Sequence, residues 1–222
     1  MDVIEDVSIP KLNEMIGLYR VCMGLSRDGE SLLKAAGQLK RLALNSEIFS
    51  VKAGLKGRVF QSLSKETNRL SQDITDVIHG LLENVNSISI KAISSANKAR
   101  LCEKYGQALG KGLKGNNEFS VSQRRSELGH GLVKDLSRIY SDLNKAHFIM
   151  RDMARLHVQL PVIATLMKIE ANRENSFRDT FSTNANSLLT LNEDLKEAMS
   201  GVLDKTKDTL FRLERMETGA DL

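Results

Sequence analysis

The chain has 222 residues, enough for one or two domains around a continuous core. Aromatic residues make up 5%, tryptophan is absent and proline occurs twice. That profile departs from globular α/β enzymes and suits long uninterrupted helices. The net charge of +4 is spread along the chain, apart from short runs such as Gln123-Arg124-Arg125. It reads as a solvated face and not as a nucleic-acid surface. Cys22 and Cys102 have no metal-ligand spacing and read as small buried hydrophobes in a reducing cytoplasm. No run of about 18 apolar residues reads as a membrane span, and the acidic start Met1-Asp2-Val3-Ile4-Glu5-Asp6 does not resemble a signal peptide.

Four segments carry apolar residues at steps of three and four, the mark of helices packed along a seam. The first seam runs through Met15, Leu18, Cys22, Leu25, Leu32, Ala36, Leu39 and Ala43, with a weak position at Gly29. The second runs through Phe60, Leu63, Thr67, Leu70, Ile74, Val77 and Leu81, then more loosely through Val85, Ile88 and Ala92. The third is the most regular: Leu132, Leu136, Ile139, Leu143, Ala146, Met150, Met153, His157 and Leu160. The fourth holds Phe177, Phe181, Asn184, Leu188, Leu191, Leu195, Ala198 and Val202.

Breaks separate these segments. Gly54 and Gly57 predict a tight reversal between the first two, because glycine accepts the positive φ such a turn needs. Gly106, Gly110, Gly112 and Gly115 predict a linker over 106–120. Asn172 to Ser176 predict a second turn near 172–176, with Ser176 as a helix cap. Pro161 falls inside the third pattern and predicts a kink near Val158, which would splay the second turn from the first.

The expected fold is therefore all-α: two long antiparallel helical hairpins forming an elongated four-helix coiled-coil bundle. The first hairpin occupies 1–105, with arms from Pro10 to Ala53 and from Arg58 onward; the second occupies 121–222. Arms of about 45 residues give hairpins of roughly 65 Å. A shift of 118 positions aligns Leu42 with Leu160, Ile48 with Leu166, Val51 with Ile169 and Ala53 with Ala171, although the layout does not require a duplication.

The first turn carries a recognisable motif. Leu42, Ala43, Leu44, Asn45 and Ile48 are followed by Lys52, Ala53, Gly54, Gly57, Arg58, Phe60, Glu66 and Leu70, without a gap over 29 residues. This stretch resembles the hairpin tip of the cytoplasmic signalling domain of bacterial methyl-accepting chemotaxis proteins. The resemblance implies a cytoplasmic helical hairpin that pairs into a four-helix bundle, so that one chain with two hairpins imitates a receptor dimer. It implies chemotaxis signal transduction through protein contacts with a histidine kinase and its coupling protein, and self-association at the tip. The protein-binding residues it points to are Phe49, Lys52, Lys56, Arg58, Phe60 and Glu66, around the turn glycines Gly54 and Gly57.

The motif also departs from that family. Phe49 and Leu55 stand where the family has acidic residues, Val59 where it has glycine, and Gln61 and Ser62 where it has small apolar ones. No paired Glu/Gln site for methylation occurs. The second turn keeps little beyond its spacing and a phenylalanine.

Residues outside the motif point to no enzymatic chemistry. Gly54-Leu55-Lys56-Gly57-Arg58 lacks the strand and the Gly-Lys-Ser/Thr ending of a phosphate loop. No nucleophile, base and orienting group occur together, and no metal or cofactor is expected. The chain reads as a soluble, non-catalytic signalling or scaffold protein with protein partners. The alternatives are a histidine phosphotransfer protein, built on His79, His130, His147 or His157, and a structural coiled-coil assembly protein.

Overall fold

The computed structural model describes residues 12–112, 115–173 and 177–218. The expected arm start at Pro10, the acidic Met1–Asp6 stretch, the cap Ser176 and part of the second turn lie outside them. The described residues form four long helices in two joined pairs, with no strand among them. Helix α1 (Leu12–Lys52) joins α2 (Arg58–Gly110) through a 3-10 turn at Gly54–Gly57. Helix α3 (Asn116–His157) and α4 (Gln159–Arg173) form one arm of the second pair, and α5 (Arg178–Thr218) forms the other. Charges at the helix ends complement the macrodipole: Glu14, Glu118 and Asp179 lie in first turns, and Lys52, Arg173 and Arg215 in last turns.

Helix α2 runs through the glycines expected to begin the linker and ends only at Gly110. Gly112 and Gly115 then take positive φ values of 82° and 73°. Helix persists through Gly106, where the Arg125 guanidinium lies 3.7 Å from where a Cβ would sit. A single glycine costs a helix only about 1 kcal/mol, so Gly106 alone does not end α2.

The break at Val158 falls as the sequence predicts, because proline has no N–H and its ring would press on the carbonyl of His157, four residues back. Ending α3 at His157 leaves Pro161 in the first turn of α4, where no donor is missed. The described helix residues beside the two turns stay packed together. Phe60 on α2 and Phe181 on α5 stack with ring centroids 3.4 Å apart, and Asn184 donates to Ser46 Oγ at 2.9 Å.

The chain divides into two compact units, and neither is a single hairpin. One takes Asn84–Ala146, the start of α1 up to Ser26 and the end of α5 from Lys205; the other takes Arg27–Glu83 and His147–Asp204. Each is a bundle of four helical strands. In the first unit two ion pairs join α2 to α3: Lys91 with Asp142, and Lys98 with Asp135 at 2.5 Å. Lys145 adds a second contact to Asp142, at 3.2 Å, and Ser87 donates to it at 3.3 Å. Burial alone would raise the Asp142 carboxyl pKa, but the hydrogen bonds and charges of Lys91 and Lys145 win and hold it below the ordinary carboxylate value. Cys22 is fully buried, and burial pushes its thiol pKa up to about 11 despite a hydrogen bond involving Ser89.

A carboxyl whose pKa is lowered by folding stabilises the fold above its unfolded value, and that stabilisation disappears as pH falls through the folded value. Asp142→Asn is therefore expected to lower stability by about 1–3 kcal/mol at pH 7. Thermal unfolding followed by circular dichroism should show the gap between variant and parent closing below about pH 4.

Candidate functional site

The first turn is built by two glycines with different tasks. Gly54 sits at φ +61°, with open space around it. Gly57 is buried in the turn, and a Cβ there would lie 2.0 Å from the carbonyl oxygen of Ser50. One position needs glycine's conformation, the other its missing side chain. Around them Ala53 N–H donates to Phe49 O at 3.1 Å, and Arg58 N–H donates to Leu55 O.

The residues expected to bind protein divide on exposure. Phe49, Lys52, Lys56 and Arg58 are exposed around the turn. The Lys52 ammonium stands 5.7 Å from the centre of the Phe49 ring, a cation–π contact that joins the two into one patch. Phe60 is not at the surface. It is 0% exposed, because its ring is consumed by the stack on Phe181, and it shapes the site from below. Glu66 lies farther down α2, where Arg69 holds it at 2.6 Å. The hydrogen bond from Arg69 lowers its pKa, and Arg69 also reaches Asp73 at 2.8 Å.

The structure adds residues that the motif alone did not single out as contacts. Leu55 is 76% exposed at the apex of the turn, and Leu44, Ile48, Val51 and Val59 are also exposed. The available signal was subtraction: these are the apolar residues near the turn that no seam accounts for. Beneath them the core mixes small polar residues, with Ser46, Ser50, Ser64, Thr67 and Ser71 buried, with apolar ones such as Phe60, Met167, Ala171 and Phe181. Ser50 donates to Ser46 O at 2.5 Å, Thr67 to Leu63 O at 2.8 Å and Ser71 to Asn68 O at 2.7 Å, all within their own helices, while the buried Ser64 hydroxyl has no partner.

Among the histidines, His79 and His130 are exposed and His147 and His157 half-buried. His157 Nδ1 lies 2.8 Å from the carbonyl of Ala154, and His130 Nδ1 2.8 Å from that of Ser126. Among the described residues no group of three or more His, Cys, Asp or Glu is placed to hold a metal ion. Nor is any helix there long and apolar enough to cross a membrane. No protein-family model, curated protein or solved structure matches the chain.

The two turn glycines should separate in stability measurements. Gly54→Ala pays only for a left-handed backbone and is expected to cost about 1–2 kcal/mol. Gly57→Ala must open the turn and should cost clearly more, read as the shift of the urea midpoint.

Proposed function

We propose that this chain is a non-catalytic signalling or scaffold protein that works through protein–protein contacts at its first turn. The observation that carries this reading is the apolar apex. Leu55, Val51, Ile48 and Phe49 are exposed together at a turn whose flanking charges, Lys52 and Arg58, are cationic. A soluble bundle has no folding reason to concentrate apolar side chains there, and apolar patches rimmed by charge mark interaction surfaces.

The resemblance of Leu42 to Leu70 to the chemoreceptor tip supplies the class of partner: a signalling histidine kinase or its coupling protein in chemotaxis-like transduction. Where that family places acids, this chain has Phe49 and Leu55. The apex is thereby more apolar and more basic than the family pattern. It suits a partner surface with an apolar centre and an acidic rim.

Capture from a bacterial lysate with the full chain as bait tests this. The expected result is that Leu55→Asp combined with Arg58→Glu loses partners that the parent retains. Phe211→Asp, at an exposed position on α5 in the other unit, should retain them. Identical partners on all three baits would show that the first turn is not the interface.

A further inference from the structure

In the unit that contains the first turn, the surfaces of the helices are unequal. The exposed positions of α2 include Lys65, Arg69, Gln72 and Asp76, and those of α5 include Asn186, Thr190 and Glu193. Such positions form an ordinary solvated face. Helix α1 and its turn instead expose Leu44, Ile48, Val51 and Leu55, at steps of four, three and four. Helix α4 and the break before it expose Val158, Val162, Leu166 and Ile169, at steps of four, four and three. From Val158 to Ile169 every exposed position is uncharged, over roughly 16 Å of helix.

These two stripes correspond at three positions each, while Leu55 meets Arg173 and Val158 meets Lys40. The shift of 118 that aligns Ile48 with Leu166 and Val51 with Ile169 also aligns Leu44 with Val162. All six side chains are exposed. In each hairpin it is the N-terminal arm that carries the apolar stripe, although the second hairpin keeps almost nothing of the turn motif.

We propose that α4 carries a second docking face equivalent to the one on α1, and that the occupant of each is an acidic amphipathic helix of a partner protein. Apolar side chains at steps of three and four along one helix face match the ridge of another helix. Charge selects the occupant. Residues 40–58 carry Lys40, Arg41, Lys52, Lys56 and Arg58 against Glu47 alone. Residues 151–173 carry Arg151, Arg155, Lys168 and Arg173 against Asp152 and Glu170, which pair with Arg155 and Arg173 and leave a net charge of +2. Two copies of this chain meeting through these faces would bring like charges together, whereas a helix with acidic flanks neutralises them. One chain then holds two partner helices, which gives it the geometry of a bivalent scaffold. This extends the reading of the first turn as a protein-binding site, and the test separates the two.

The probe is a synthetic helix of about three heptads, with leucine at the seam positions and glutamate at the others. It is titrated calorimetrically into the full chain. The expected stoichiometry is two peptides per chain, falling to one in Val162→Asp/Leu166→Asp and to one in Ile48→Asp/Val51→Asp. Val162→Ser/Leu166→Ser, milder at the same exposed positions, should behave like the first of these, with helicity by circular dichroism unchanged. A scrambled peptide of the same composition should bind at least about tenfold more weakly. One peptide per chain, lost only in the α1 variant, would overturn the α4 face and leave the first turn standing. One peptide lost only in the α4 variants would remove the α1 stripe as a docking face and leave that of α4. Equal binding of the scrambled peptide, or no binding, would overturn the helical occupant. Self-association of the parent that the α4 variants abolish would make the occupant a second copy and overturn the proposal.

Discussion

The constraint on which the rest of the structure depends is a seam of period 3.5. On α1 the positions turned inward are Met15, Leu18, Cys22, Leu25, Gly29 and Leu32, and the same alternation of three and four continues to Ser50. On α2 it runs without a slip from Phe60 to Cys102. Each leucine or isoleucine on such a seam is worth about 1.5–3 kcal/mol when removed from water, against a few tenths for helix propensity. The seam therefore decides where helix continues and which residues it tolerates. Gly29 illustrates this: a Cβ there would lie 2.6 Å from Leu82 Cδ2, so the leucine occupies the space the glycine leaves.

A seam with a seven-residue repeat does not fix its own register, because sliding one helix by seven restores the apolar pattern. The ion pairs between α2 and α3 break that degeneracy. Lys91 and Lys98 are seven apart, as are their partners Asp142 and Asp135, which run in the opposite direction. A slip of one heptad would preserve one Lys–Asp contact and break the other, leaving Asp135 without its cation or Asp142 with Lys145 alone, in largely buried positions. Leaving a buried charge without its partner costs more than the intact pair contributes, so the pairs select a register more than they add stability.

The third seam was fully legible in the sequence because its apolar residues are large and evenly spaced. All are buried except His157, which is half-buried with its ring nitrogen on the Ala154 carbonyl. The second and fourth seams were legible only in outline. Hydrophobicity favours Leu63 and Leu191, but the positions turned fully inward are Ser64 and Asn192; at Val77/Ile78 and Ala198/Met199 both neighbours are apolar, and the inward ones are Ile78 and Met199. A four-helix bundle half-buries the flanks of each seam, so a large apolar residue can sit beside the centre while a small polar one occupies it. Serine and threonine are hard to recognise as core from sequence: some are admitted by a backbone hydrogen bond within the helix, as Thr209 makes to Lys205 O at 2.6 Å, whereas the hydroxyls of Ser64 and Ser95 are buried with no such partner. At the first turn, Gly54 and Gly57 were evident from residue type alone. Phe60 fitted two readings there, a seam position and a surface contact, and its stack on Phe181, 121 positions away, decides for the seam.

That aromatic stack explains how the first turn can display an apolar surface and still fold. The layers nearest the turn bury Ser46, Ser50 and Ser64, which remove little apolar area from water, while Ile48, Val51 and Leu55 remain outside. Burying a phenylalanine is worth up to about 3 kcal/mol, so this layer draws its cohesion from the burial of two rings. The Phe60–Phe181 pair thus concentrates in one layer the cohesion that its neighbours lack, and it ties the two hairpins together at that level. With the core closed from inside by two rings, the outward apolar residues of α1 are not needed for folding. Their exposure is then a property of the surface, free to be matched by whatever docks there.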